Sequence, residues 1–219
     1  MGPPLVIFLV RHGQTEWNAL GRFQGRADVP LDEKGLFQAR NLALVLRPVA
    51  IAAAYSSPLR RAIETAQEIL MHHPRVPLTR DPDLVEMDLG DFDGMEAGTW
   101  AKCYPEFLAR WRERPSKVRM PKGETLEEVS ERALRFLHRL TLLHNPGQNV
   151  LVCTHNFVCS AILCHVLSIP LDRFREATIP TGSFVRIFFT GEKPWVERME
   201  TSSGLPGGHV LEGMRGGAR

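Results

Sequence analysis

The chain has 219 residues, 43% of them hydrophobic and 24% charged, with a formal net charge of +2. That length and apolar content suffice for one sizeable core and do not force two domains, and basic residues dispersed along a near-neutral chain give no reason to expect a nucleic-acid partner. Leu5 to Val10 is too short for a signal-peptide core and has no basic residue before it, and no later run approaches roughly eighteen apolar residues, so the expectation is a soluble, cytoplasmic protein that spans no membrane.

In chain order, Leu5 to Val10 reads as a buried strand, Asp32 to Leu46 as the first helix, Ala50 to Tyr55 as a short apolar strand, and Pro58 to Met71 as a second helix ended by Pro74 and Pro77. Gly98 to Lys122 carries Trp100, Tyr104, Phe107 and Trp111 beside Lys102, Arg110, Arg112, Arg114, Lys117, Arg119 and Lys122. Two readings compete there: aromatic residues lining a pocket for an acidic substrate, or an amphipathic helix with a solvated basic face, which is preferred. Thr125 to His144 has Leu126, Val129, Ala133, Phe136, Leu137 and Leu140 at helical spacing and ends at Asn145-Pro146-Gly147. A strand from Asn149, a mostly buried helix over Phe157 to Leu167, and strands over Ser183 to Thr190 and Trp195 to Thr201, joined by a turn at Gly191 to Pro194, follow. Strand-like runs alternating with helical patterns predict a sheet covered by helices on both faces. The segment 202–219 is Gly-rich and lacks apolar periodicity, so it reads as a flexible tail after a domain over 1–201, with a lid as the second reading. Cys103, Cys153, Cys159 and Cys164 show no C-x-x-C spacing and read as reduced, mostly core residues.

Four segments carry chemistry. Arg11-His12-Gly13-Gln14-Thr15-Glu16-Trp17-Asn18 follows the first strand, so a turn presents an imidazole beside a guanidinium. Nε2 of His12 can attack phosphorus only while neutral, and flanking cations disfavour the imidazolium. Gly13 lets the backbone approach a ligand, and the Asn18 amide can donate to a phosphate oxygen. Taken alone, the run is equally an ordinary turn. Ser56 to Ala66 opens a helix whose unpaired N–H groups favour an anion, with Arg61 adding a bidentate fork and Arg60 reading as a solvated partner of Glu64. Leu84 to Gly94 sets carboxylates among apolar residues, where desolvation raises a pKa; Glu86, Asp88, Asp91 and Asp93 compete for the role of acid, and the spacing does not fit a calcium loop. Asn149 to Asn156 is a second buried strand ending on a histidine, His155; a core histidine is the commoner fate of a lone one, but two strand-terminal histidines would meet at one end of a sheet.

With Arg22-Phe23-Gln24-Gly25, Pro30 to Gly35 and Gly123-Glu124-Thr125 in the same order, these segments resemble the histidine phosphatase superfamily, the phosphoglycerate mutase-like family, from Leu5 to about Glu200. The resemblance implies an α/β fold, a three-layer α/β/α sandwich with a mostly parallel central sheet and a cap over about residues 95–122. It implies that His12 becomes the phosphohistidine, that Arg11, Arg61 and His155 clamp the phosphoryl group with Asn18 assisting, and that Glu86 is the proton donor. Gln24 and Gly25 fall where members contact the rest of the substrate. Members commonly have Gly after the second histidine; here Asn156 either takes a positive φ, which Asn tolerates, or enters the pocket. No metal or other cofactor is implied, the partner is a small-molecule phosphate ester, and a homodimer is common in the family. Three functions follow: a phosphomonoesterase acting on a small metabolite, a phosphoglycerate mutase, or an inactive phospho-ligand binding module. Glycolytic mutases carry a long insertion after the acid motif, whereas only Met87 to Lys122 separates Glu86 from Gly123 here, which favours the phosphatase. An inactive module would be free to lose nucleophile or acid, and this chain keeps both. His72, His73, His138, His144, His165 and His209 receive no role.

Overall fold

The computed structural model describes residues 2–191 and 193–201. In chain order its elements are β1 (Leu5–Arg11), α1 (Glu16–Ala19), α2 (Glu33–Leu46), β2 (Ile51–Ser56), α3 (Arg60–Leu70), β3 (Leu78–Arg80), α4 (Ala97–Cys103), α5 (Pro105–Glu113), α6 (Leu126–Leu143), β4 (Asn149–Thr154), α7 (Asn156–Leu167), β5 (Ser183–Phe189) and β6 (Trp195–Thr201). Among the described residues the six strands form one sheet in the order β3-β2-β4-β1-β5-β6. The first four are mutually parallel, while β5 runs antiparallel to β1 and β6 antiparallel to β5.

The three layers follow from the period of two along β1. Leu5, Ile7 and Leu9 enter a core shared with α6 and α7, whereas Val6, Phe8 and Val10 enter a second core with α2 and α3. All six are buried, which is why the strand reads as a continuous apolar run. Helix starts are set locally. Asp32 accepts the Gly35 N–H at 2.7 Å before α2, and Thr125 closes a capping box with Glu128 before α6. The apolar stripe of α6, from Leu126 to Leu140, is buried as its spacing predicts.

The structure departs from the sequence reading in three places. The three-residue strand β3 was not expected; it has no apolar alternation of its own and exists through pairing with β2. The aromatic and basic stretch after Gly98 forms two helices rather than one, because Tyr104 takes a non-helical φ/ψ of −130°/53° and Pro105 has no N–H to continue a helix. Trp100, Phe107 and Trp111 are buried while Arg110 and Arg112 stay exposed, as the amphipathic reading of that stretch expects. The segment 202–219, read as a tail or lid, lies outside the described residues. Among the described residues no single helix is long and apolar enough to cross a membrane.

Candidate active site

Strands β2, β4 and β1 lie side by side, with Arg11 in register with Thr154 and Ser56 in register with Cys153. Residues that follow these strands therefore converge at their carboxyl ends, where open parallel sheets place ligands. The His12 N–H donates to the Thr154 carbonyl at 3.0 Å, so His12 and His155 leave the sheet together, their ring centroids 5.0 Å apart.

Each imidazole has its protons assigned by a partner. Nδ1 of His12 lies 2.7 Å from the Gly13 carbonyl, which can only accept, so Nδ1 carries the hydrogen and Nε2 presents a bare lone pair. Nδ1 of His155 accepts from Arg61 Nε–H at 3.1 Å, so its Nε2–H donates to Ser57 Oγ at 2.7 Å. Burial, then the charges of Arg61 and Arg11, hold His12 well below the usual 6.5; burial and Arg61 do the same to His155. Both rings are neutral at physiological pH.

Arg61 is fully buried and Arg11 half-buried, and among the described residues neither forms an ion pair. Arg61, fully buried on the first turn of α3, also donates from Nη1 to the Ala27 carbonyl at 2.8 Å and from Nη2 to the Gly25 carbonyl at 2.7 Å. Burial pulls its pKa down to about 10, which leaves it charged. Arg11 donates from Nη1 to Asn156 Oδ1 at 2.9 Å and to the Ile179 carbonyl at 2.8 Å. Two desolvated cations held by carbonyl oxygens create a strong demand for an anion. The start of α3 contributes less than expected: Asp28 already accepts the Arg60 N–H at 2.7 Å, so the helix terminus has its own carboxylate.

Four carboxylates competed for the acid, and their surroundings separate them. Glu86 is 3% exposed, with Oε1 accepting the N–H of Met87 at 2.9 Å and of Phe157 at 3.2 Å. Burial raises its pKa, opposed by those N–H groups and by Arg61 and Arg11. Asp88 accepts the Gly90 N–H, Asp91 pairs with exposed Lys122, and Asp93 accepts the N–H of Gly25 and Ala27. The last contact shapes the loop whose carbonyls hold Arg61.

The remaining residues of the sequence reading are placed as follows. Asn18 is the third residue of α1, where its side-chain oxygen accepts the Thr15 N–H, leaving its amide hydrogens for another partner. Gln24 Oε1 accepts from Thr15 Oγ1 at 2.7 Å, while its buried Nε2 has no partner among the described residues, as is true of Arg11 Nε. Gly25 has both backbone polar groups engaged, by Asp93 and Arg61, so the structure makes it part of the Arg61 cradle. Gly13 is required by close packing: a Cβ there would lie 2.5 Å from the Gly35 carbonyl oxygen. Asn156 opens α7 with ordinary helical backbone, and among the described residues only Lys122 and Ser168 are non-glycine residues at positive φ, so that explanation of Asn156 is excluded. Its side chain instead braces Arg11 and lines a cavity of about 330 Å³ that adjoins the histidines' end of the sheet.

Several supporting residues escaped the sequence reading. Ser57 lay inside a quoted motif but received no role; Thr65 accepts the Gly13 N–H at 3.1 Å and donates to the Arg61 carbonyl at 2.7 Å, tying the His12 loop to α3. Arg132 of α6 grips the Glu124 carboxylate with Nε and Nη2, each at 3.1 Å, and donates from Nη1 to the Asp83 and Val85 carbonyls. Glu124 accepts the Asp88 N–H at 2.8 Å, so this pair brackets the loop carrying Glu86 from both sides.

Residues 7–202 match the family model of the histidine phosphatase superfamily (branch 1). Phosphoserine phosphatase 1 of Hydrogenobacter thermophilus is 36% identical over 168 residues, covering 77% of this chain and 79% of that protein. The 2,3-bisphosphoglycerate-dependent phosphoglycerate mutase 2 of Gloeobacter violaceus is 38% identical over 162 residues, covering 72% of this chain and 74% of its own length. Among solved structures, the alpha-ribazole phosphatase from Shigella flexneri superposes with a TM-score of 0.79 at 27% identity, over 87% of this chain and 93% of that one. With a match that spans both strand-terminal histidines, Arg61 and Glu86, the chain belongs to branch 1 of the histidine phosphatase superfamily and is a phosphatase of that type.

Proposed function

We propose that the chain hydrolyses the phosphate monoester of a small metabolite, without a metal, through a phosphohistidine on His12. The observation that carries this reading is the bare Nε2 lone pair of a neutral His12 beside the buried Arg61 and half-buried Arg11 guanidiniums, neither of which has an ion pair among the described residues. In the first step Nε2 attacks phosphorus in line with the leaving oxygen; the P–O bond breaks, and protonated Glu86 gives its proton to that oxygen. In the second, the Glu86 carboxylate takes a proton from water as the water oxygen attacks phosphorus and the P–N bond breaks. That returns neutral His12, protonated Glu86 and free phosphate. Arg11 and Arg61, with Asn18, would hold the equatorial oxygens, His155 would join them by turning its Nε2–H from Ser57 Oγ to the phosphoryl group, and the Nε2–H of Gln24, unpartnered among the described residues, would meet a substrate oxygen.

Turnover of p-nitrophenyl phosphate in the presence of chelator tests the reading, together with trapping of a radiolabelled, acid-labile phosphoenzyme. The label disappears in His12→Ala. Glu86→Gln slows an alkyl phosphate by about 10² to 10⁴ but nitrophenyl phosphate far less, since nitrophenolate leaves without a proton. Label retained in His12→Ala, or equal slowing of both esters in Glu86→Gln, overturns the mechanism. The 38% identity to a mutase makes phosphoryl exchange the second reading. It is the correct one if 3-phosphoglycerate is isomerised with 2,3-bisphosphoglycerate present while p-nitrophenyl phosphate is not hydrolysed.

A further inference from the structure

Glu86 and Arg11 are held by two consecutive residues of α7, and both residues also line the cavity of about 330 Å³: Asn156 braces Arg11, and the Phe157 N–H binds Glu86. An ester whose phosphoryl group sits between the histidines therefore has its leaving alcohol directed along Asn156 and Phe157 into that space. The volume lies within the range of small-molecule sites. Its walls are largely aromatic, from Phe92, Trp100, Trp111, Phe157 and Phe174. Trp100, 7% exposed, also carries an indole N–H with no partner among the described residues. A planar apolar body fits such walls better than a short polar chain does.

Two cations complete the lining, Arg112 from α5 and Arg175 from the 3₁₀ segment Leu171–Ala177, which is kinked at Arg173. Arg175 sits over the Phe174 ring at 4.6 Å from its centroid and over Trp111 at 5.9 Å, which fixes its guanidinium against the aromatic wall. Burial and the charge of Arg112 both lower its pKa, placing the two cations within electrostatic reach of each other. The adjacent carboxylate does not neutralise them: Glu176 is gripped by Arg173 at 2.6 and 2.7 Å. Both residues are exposed and neither has an ion pair among the described residues, so an anion entering the cavity meets two like charges at its mouth.

We propose that Arg112 and Arg175 form a second anion subsite, and that the substrate is a phosphate monoester with an aromatic or similarly flat leaving group bearing a further carboxylate or phosphate. The proposal rests on the phosphatase reading for where the ester sits, but it is tested by binding alone. Calorimetric titration compares two non-hydrolysable probes of equal shape, 4-carboxybenzylphosphonate and 4-carbamoylbenzylphosphonate, which differ by one charge. The carboxylate binds the parent about tenfold tighter or more, the scale of one charge-assisted hydrogen bond. In the Arg112→Gln/Arg175→Gln double variant that ratio falls towards one. A 1,4-phenylene bisphosphonate in a third titration tells a phosphate-type anion from a carboxylate by which of the two loses more affinity in the double variant. Equal binding of the carboxylate and the carboxamide by the parent, or a preference that survives in the double variant, overturns the subsite. An intact preference in a protein that hydrolyses no phosphate ester keeps the subsite and overturns the catalytic reading instead.

Discussion

Replacing His12 by Asn and following unfolding free energy across mildly acid pH tests the physical basis of the whole site, the neutrality of its buried imidazoles. His12 and His155 are 3% and 0% exposed, and both are held well below 6.5 in the folded protein. In the unfolded chain each titrates near the usual 6.5. Between the two values the unfolded state binds more protons than the folded one, so stability rises with pH there and is lost as pH falls below about 6.5. From about pH 6.5 to about pH 5.5, a histidine that stays neutral in the fold loses about 1 kcal/mol, and the pair loses about 2 kcal/mol. Asn at position 12 keeps a donor for the Gly13 carbonyl and does not titrate, so His12→Asn loses only the His155 share, about 1 kcal/mol. The raised carboxyl of Glu86 acts with the opposite sign, being stabilising when protonated and lost as pH rises through its folded pKa, but it is present in both proteins and cancels in the difference. Urea unfolding followed by tryptophan fluorescence, in buffer free of phosphate and sulfate, measures the two profiles. Parallel profiles for parent and variant would refute a neutral, proton-excluding His12.

Two further outcomes are expected from the packing around the site. A Cβ at Gly35 would lie 2.0 Å from the Gln14 carbonyl oxygen, so Gly35→Ala pushes the His12 loop away from α2; stability falls by about 1 to 3 kcal/mol and kcat falls with it, read by thermal unfolding and p-nitrophenyl phosphate turnover. An unchanged kcat would show that the loop yields without moving His12. Arg132→Met removes the donor from the Asp83 and Val85 carbonyls and one of the partners of Glu124, which keeps Arg26 at 3.2 Å and the Asp88 N–H at 2.8 Å, and denaturant unfolding should show a loss of about 2 to 3 kcal/mol. A loss below about 1 kcal/mol would mean that solvent replaces the guanidinium at little cost.

Much of the fold and the two strand-terminal histidines of the candidate site were legible in the chain. β1 and β4 announce themselves as apolar runs because both faces of the central sheet are covered, and α2 and α6 begin where Asp32 and Thr125 can cap them. His12 and His155 follow directly from where those two strands stop. Charge and neighbourhood leave Glu86, Asp88, Asp91 and Asp93 open as the acid, and only the family resemblance points to Glu86. What singles out Glu86 is burial against α7, to which it is joined by an N–H 71 positions away.

Sequence alone determined what depends on near neighbours: strand and helix periodicity, caps, the order of the motifs, and which residue types stand at the carboxyl ends of the strands. Only the tertiary structure decided the environment of the buried groups, their long-range pairing and the shape of the cavity beside Asn156. Arg61 meets His155 across 94 positions and Arg11 meets Asn156 across 145; the first contact chooses the His155 tautomer and both steady the cations, whereas His12 takes its tautomer from the adjacent Gly13 carbonyl. β3 and the break at Tyr104 belong to the same class. The reason is the range of the forces: backbone propensity acts within a turn or two of chain, whereas desolvation and hydrogen bonding depend on whatever the fold brings alongside.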